Sequence, residues 1–185
     1  MSVVYFTADH HFGHRNILRF CNRPFDDVDE HDRELIDRWN STVTSVDIVW
    51  HLGDFSYRGG GKLARKVFSQ LRGSKHLICG NHDGQTVREL PWSSVRDYAD
   101  ISVEDQRLIL FHYSMKVWPS MRNGAVQLYG HSHGKMPADR QSIDVGVDNW
   151  AFRPVSWPEI KARLDTMPEL AFRDDTDEID KEPTP

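Results

Sequence analysis

Asp9-His10-His11, Gly53-Asp54, Gly80-Asn81-His82-Asp83, Phe111-His112 and Gly130-His131-Ser132-His133 are short polar clusters, each following an apolar run. Together they offer carboxylates, imidazoles and an amide oxygen. That donor set can hold two divalent metals side by side and leave room for a phosphate and a water. Asp9 and His11 are two apart, so on extended backbone both side chains point to one side and can share a metal. His131 and His133 repeat that spacing. Glycine before Asp54 lets the backbone approach a neighbour closely. Asn81 brings a neutral oxygen ligand and His82 a proton. Each cluster alone has an ordinary explanation. Asp-x-His is a strand end, Gly-Asp a common turn, His112 a satisfied core histidine, and the 131/133 pair a surface pair or a zinc-only site. Their joint recurrence at successive strand ends points to one metal centre at one sheet edge.

The elements that must deliver them are legible as an alternation. Val3 to Ala8 reads as a buried first strand, Asp47 to Leu52 as a second and His76 to Cys79 as a third. Asp27-Val28-Asp29-Glu30 resembles a capping box, and Val28, Leu35, Ile36, Trp39 and Val43 then recur at helical spacing. Leu63, Val67, Phe68 and Leu71 mark a second helix, stopped by Gly73. The stretch from His10 to Phe25 has no clear period and is expected as a long loop. From Tyr98 the pattern changes, because Asp100 to Val103 and Arg107 to Phe111 flank Glu104-Asp105-Gln106 as a hairpin would. Ala125 to Tyr129 and Ser142 to Val147 are further strands, and Pro158 opens a last helix through Leu164. The early βαβ units favour a parallel sheet, the later hairpins a second and more antiparallel one.

At 185 residues the chain makes one domain with a full core but no large cap. The expected division is a domain over 1–168 and an acidic, flexible tail over 169–185. Hydrophobic content of 38% beside 28% charged residues is ordinary soluble composition and argues against a membrane or disordered protein. No run approaches a membrane span, no signal-peptide pattern opens the chain, and Cys21 and Cys79 make no disulfide framework. A cytoplasmic setting is the expectation. The net charge of −5 argues against non-specific nucleic-acid binding, although much of it lies in the tail and leaves the body nearer neutral.

On the clusters quoted above, the chain resembles the calcineurin-like metallophosphoesterase family. The stretches from His11 to Ile17, Cys21 to Phe25 and Asn149 to Val155 resemble a small bacterial and phage-type single-domain subgroup of it. The resemblance implies a four-layer α/β/β/α sandwich, two mixed β-sheets flanked by helices, with the site at the strand ends. It implies Asp9, His11 and His133 on one metal, Asn81, His112 and His131 on a second, and Asp54 bridging them. His82 would face the leaving group and Asp83 would orient it. Arg58 stands where the family often places an arginine after Gly-Asp.

Mixed oxygen and nitrogen ligands suit Mn²⁺, which is favoured here, or Fe²⁺ or Zn²⁺. The favoured activity is a phosphodiesterase acting on a nucleotide, cyclic nucleotide or nucleic-acid phosphodiester through metal-bound hydroxide. The alternatives are a phosphomonoesterase or protein phosphatase, or a non-catalytic binding module on the same fold. Such modules typically lose ligands or the leaving-group histidine, and both Asp54 and His82 are present here.

Several neighbours have two readings. His14 and Asn16 either touch substrate or hold a nearby water. Arg23 either binds phosphate bidentately or clamps a loop carbonyl. His10 should point away from its ligand neighbours, as a structural or solvent-facing residue. His51 belongs to the core, and His31 and His76 to the surface or a helix edge. Gly59-Gly60-Gly61-Lys62 lacks the spacing of a phosphate-binding loop and reads as a hinge. Trp150, Phe152 and Trp157 read as a packing cluster rather than a base-stacking platform.

Overall fold

The computed structural model describes residues 2–57 and 61–169. In chain order the elements are β1 (Val4–Thr7), α1 (Ile17–Phe20), α2 (Val28–Thr42), β2 (Ile48–His51), α3 (Gly61–Gln70), β3 (Ser74–Ile78), α4 (Gln85–Arg88), β4 (Ser94–Arg96), β5 (Tyr98–Val103), β6 (Gln106–Phe111), β7 (Val126–Tyr129), β8 (Ser142–Asp144), β9 (Val155–Ser156) and α5 (Trp157–Leu164). One sheet runs β4-β3-β2-β1-β9 and the other β5-β6-β7-β8. They pack face to face: Phe6, Trp50, Leu52 and Ile78 of the first meet Leu108, Leu110, Leu128 and Ile143 of the second in one buried cluster. On the outer face of the first sheet, Leu35 and Trp39 of α2 and Val67 and Phe68 of α3 cover Val49 and Leu77. The chain is thus an α/β fold with two mixed sheets flanked by helices, as the sequence implies.

In the first sheet β1, β2, β3 and β4 are mutually parallel and only β9 is antiparallel. In the second, β5 and β6 form the expected hairpin, with positive φ at both Glu104 and Asp105, as a two-residue turn of this hand requires. The pairings β6 with β7 and β7 with β8 are parallel, so this sheet is less antiparallel than the sequence suggests. The reason is that residues 112–125 and 130–141 are long return connections, not tight turns. Within each sheet the parallel strands share a C-terminal edge. The loops after β1, β2 and β3 of the first sheet meet those after β6 and β7 of the second, so two sheets deliver the clusters rather than the one sheet edge expected from sequence.

Local capping follows sequence chemistry. Asp27 accepts the N–H groups of Asp29 and Glu30, while Glu30 Oε2 reaches back to the Asp26 N–H, one residue short of a reciprocal box. Ser156 and Glu159 make the full box at α5, with Pro158 in the first turn. The 10–25 stretch, expected as loop throughout, carries α1. β8 stops at Asp144 rather than Val147. Arg58, the Gly59-Gly60 hinge and the tail from residue 170 lie outside the described residues. Among the described residues no helix is long and apolar enough to cross a membrane.

Candidate metal centre

The backbone at the converging loops departs from strand geometry. Asp9, His11, Asp54, His131 and His133 all have positive φ, between 48° and 66°. The side chains of each i,i+2 pair therefore converge through left-handed turns, not through the extended backbone the spacing suggests. Each such residue costs on the order of 1–3 kcal/mol and persists only where its surroundings hold it. Here the loops clasp one another: Asp9 N–H bonds to Gly53 O, His11 N–H to Asp54 O, and Gly130 N–H to His112 O, all at 3.0 Å. Glycine is needed where they touch. A Cβ on Gly80 would strike the Asp54 amide and carboxylate, and one on Gly130 would lie 2.7 Å from Asp9 Oδ2.

Four overlapping groups of donor atoms result among the described residues, and two of them form the clusters at the centre. Asp9, His11 and His133 form one, and Asp54, His112 and His131 the other, while His11 and Asp54 also group with His82, and His133 with Cys21 and Asp148. Asp54 Oδ2 lies 3.6 Å from His11 Nε2 and 3.5 Å from His112 Nε2, so one oxygen faces both clusters. Its partner Oδ1 is occupied by the His82 N–H at 2.8 Å. Asp9 likewise gives Oδ2 to the His131 N–H at 2.8 Å and keeps Oδ1 buried without a hydrogen-bond partner. Both ring nitrogens of His11 are buried and unpartnered. His112 Nδ1–H donates to Leu52 O at 2.7 Å, which turns Nε2 toward Asn81 Oδ1 at 3.1 Å. A lone pair there would face two oxygens, an arrangement that calls for a proton or a metal between them.

Electrostatics agree. Burial pushes the Asp9 carboxyl up to about 8 and the His11 imidazole down to about 2. Burial also opposes ionisation of Asp54, but His112 and His11 outweigh it and hold that carboxyl well below the usual range. His112 is raised because Asp54 and Asp9 overcome its burial. The unpartnered oxygen and nitrogen donors of the two clusters fit divalent cations.

Of the residues singled out by sequence, Asp9, His11, Asp54, Asn81, His82, His112, His131 and His133 come together. The His82 ring stands 5.1 Å from that of His11, edge-on, and His14 joins it 5.7 Å from His11. Asn16 is exposed at the start of α1 and its side chain makes no cap bond. Asp83 does not orient His82. Its buried carboxylate accepts the N–H groups of Gly80, Asp54 and Phe55, while His82 Nδ1 has no partner. Asp83 therefore holds the Asp54 loop.

Arg23 resolves to the clamp reading, since its side chain is buried and its bonds go to the carbonyls of Asp9 and His10, to His31 and to Asp148. His31, expected at the surface or a helix edge, lies in the first turn of α2 but is fully buried, bonded to that guanidinium. His76 is half-buried against Trp50. His10 is structural, bonded to core His51 at 2.9 Å rather than facing solvent. Trp150 donates to Asp144 O and packs with Trp157 in the core between the sheets, whereas Phe152 packs edge-on against Phe25 in the core on the outer face of the first sheet, so the three pack as expected but not as one cluster.

Sequence reasoning missed Asp148 and Asp144. Asp148 accepts His133 Nδ1–H at 2.7 Å, and burial notwithstanding that bond helps raise His133 to about 10. Asp144 accepts from Ser132 and the Gly134 N–H and so shapes the 131–134 turn. The only available signal was an acid at the end of an apolar run, as at Asp54.

A family model of the calcineurin-like phosphoesterase superfamily domain matches residues 27–149, and the chain belongs to that family. The match begins after Asp9 and His11, whose placement rests on the geometry above. An uncharacterized protein of Methanocaldococcus jannaschii is 31% identical over 166 residues, spanning 84% of this chain and 88% of its own length. The Gene 66 protein of Mycobacterium phage L5 is 30% identical over 194 residues, 86% of this chain and 93% of its own. Among solved structures, a protein of unknown function from Aquifex aeolicus superposes with a TM-score of 0.70 at 21% identity, covering 88% of this chain and 100% of its own, which shows the shared fold. The protein is a calcineurin-like phosphoesterase by family, and a phosphoester is the substrate that membership implies.

Proposed function

We propose that the protein is a two-metal phosphodiesterase acting on a nucleotide, cyclic nucleotide or nucleic-acid phosphodiester. The observation that carries this is the single Asp54 oxygen facing His11 and His112 at 3.6 and 3.5 Å, each in its own donor cluster. Asp9, His11 and His133 would hold one ion, Asn81, His112 and His131 the other, and Asp54 both, with Mn²⁺ favoured over Fe²⁺ or Zn²⁺. Bound ions of this kind supply a water-derived nucleophile near neutral pH and neutralise phosphate oxygens.

The chain's own groups do the rest. Asp54 offsets the repulsion between like charges, and Asp83 holds the loop that carries it. His82 stands beside the clusters and gives a proton to the departing oxygen, an assistance worth roughly 10²–10⁴-fold for a basic leaving group. Asn81 and His131 are exposed, so an ester substituted on both sides can reach the phosphate position. His14 is buried beside the site, its ring packed 4.0 Å from that of Tyr57 and 6.4 Å from that of His82. The test is a Mn²⁺-supplemented screen of bis-p-nitrophenyl phosphate, p-nitrophenyl phosphate, cyclic nucleotides and short DNA and RNA. The diester should turn over faster than the monoester. The reverse order would favour a phosphomonoesterase, and no turnover of any would favour a binding module.

A further inference from the structure

Arg23 has the most heavily committed side chain beside the clusters. Its side chain is fully buried. Nε and Nη2 form a fork on the two oxygens of Asp148, each at 2.8 Å. Nη2 also donates to Asp9 O at 2.7 Å, and Nη1 to His10 O at 2.9 Å. The remaining Nη1 proton faces His31 Nε2 at 2.8 Å. All five guanidinium protons are thus used. Because guanidinium cannot accept, His31 Nε2 must, and its Nδ1–H then donates to Asp32 Oδ1 at 2.9 Å. Asp32 in turn takes the Gly13 N–H. At the other end Asp148 Oδ2 receives His133 Nδ1–H at 2.7 Å.

This chain of bonds runs from Gly13 to His133, and its direct bonds reach only one of the two clusters; the other meets it only through the His131 N–H on Asp9 Oδ2 and the His11 N–H on Asp54 O. A carboxylate on Nδ1–H fixes the imidazole tautomer and leaves Nε2 as the lone pair toward a metal. The guanidinium fork stops that carboxylate from rotating, and its hold on two consecutive carbonyls fixes the left-handed turn that aims Asp9 and His11. The second cluster is aimed differently, through Leu52 O on His112. We propose that Arg23 and Asp148 are a positioning pair that sets the affinity of the ion held by Asp9, His11 and His133, and leaves the other ion to its own supports. The proposal rests on the two-ion reading above.

The test is calorimetric titration of the full, metal-stripped chain with Mn²⁺, with melting temperatures on the same samples. Wild type should bind two ions. Arg23→Lys keeps the charge but cannot make the fork and the carbonyl bonds together. It and Asp148→Asn should each weaken one binding step by roughly 10–100-fold and leave the other within about threefold. The weakened step should be the one that His133→Ala removes and His131→Ala does not. The double variant should be no worse than the more damaging single variant, because both act through one chain of bonds. Ile160→Ala, a cavity in the core at α5, should lower the melting temperature and shift neither step.

If Arg23→Lys and Asp148→Asn weaken both steps together, or neither, the positioning role is overturned. Should Arg23→Lys fail to fold, Asp148→Asn alone decides by the same criterion. Wild type binding fewer than two ions would overturn the two-ion reading and this proposal with it.

Discussion

Replacing Asp54 with asparagine changes one atom in a place where that atom has two duties. Asp54 Oδ1 accepts the His82 N–H at 2.8 Å, and the amide oxygen of asparagine keeps that bond. The NH₂ group must then sit where Oδ2 was, between His11 Nε2 and His112 Nε2. In the metal-free protein it can donate to those imidazoles, so no buried group is stranded and the fold should survive. Toward cations, an anionic acceptor has become a pair of positive hydrogens. Truncating one member of a buried charge pair costs roughly 2–5 kcal/mol. At about 1.4 kcal/mol per decade, each ion should bind roughly 30- to 4,000-fold more weakly. Both steps of a Mn²⁺ titration should fall, because one oxygen serves both clusters, whereas Asp9→Asn should affect one step far more than the other. Hydrolysis of bis-p-nitrophenyl phosphate should fall to near background at sub-saturating Mn²⁺. Asp54→Asn protein that binds two ions at wild-type affinity, with turnover within a few fold, would refute the bridge.

His82→Asn should retain two Mn²⁺ ions and lose far more rate on a ribose or alkyl diester than on a p-nitrophenyl ester, whose phenolate leaves without a proton. Since His82 also lies within reach of His11 and Asp54, a loss of metal with equal losses on both substrates would make it a ligand instead. Gly80→Ala should abolish Mn²⁺-dependent turnover, because the added methyl strikes the Asp54 amide and carboxylate. Turnover within twofold of wild type would mean the loops yield more readily than their contacts suggest. At α5, burial pushes the Glu159 carboxyl up but Arg153 and Ser156 outweigh it and hold it at about 2. A depressed carboxyl stabilises above its unfolded value and loses that contribution as pH falls through its folded value. Glu159→Gln should therefore cost about 1 kcal/mol at pH 7, or roughly 2–4 °C. The gap from wild type should close as pH drops from 4.5 toward about 2, and a gap constant with pH would contradict the assignment.

The donor set was legible because its chemistry is unusual. Few reasons place Asp, Asn and His at five strand ends in succession, and buried strands such as Leu108–Leu110 announce those ends plainly. What stayed hidden is what depends on partners distant in sequence. Arg23 meets Asp148 across 125 positions, and nothing local to either distinguishes a phosphate-binding arginine from a clamp. His31 looks like a helix-edge residue until that guanidinium covers it. Asp83 sits beside His82 in sequence, yet its bonds run to the Asp54 loop. The left-handed turns at Asp9, His11, His131 and His133 could not be read either, because an i,i+2 spacing fits extended backbone equally well and only the clasped loops select the turn. β4 and β9 are too short to show an alternation, and each is fixed by the strand it pairs with.

Two ions sharing Asp54 would define the metal centre. Diffraction from crystals grown with Mn²⁺, collected on either side of the manganese absorption edge, locates the ions directly. Two anomalous peaks roughly 3.5–4 Å apart are expected, one against Asp9, His11 and His133, the other against Asn81, His112 and His131, with Asp54 Oδ2 touching both. A single peak, or a peak seated on Cys21, His133 and Asp148 instead, would contradict it.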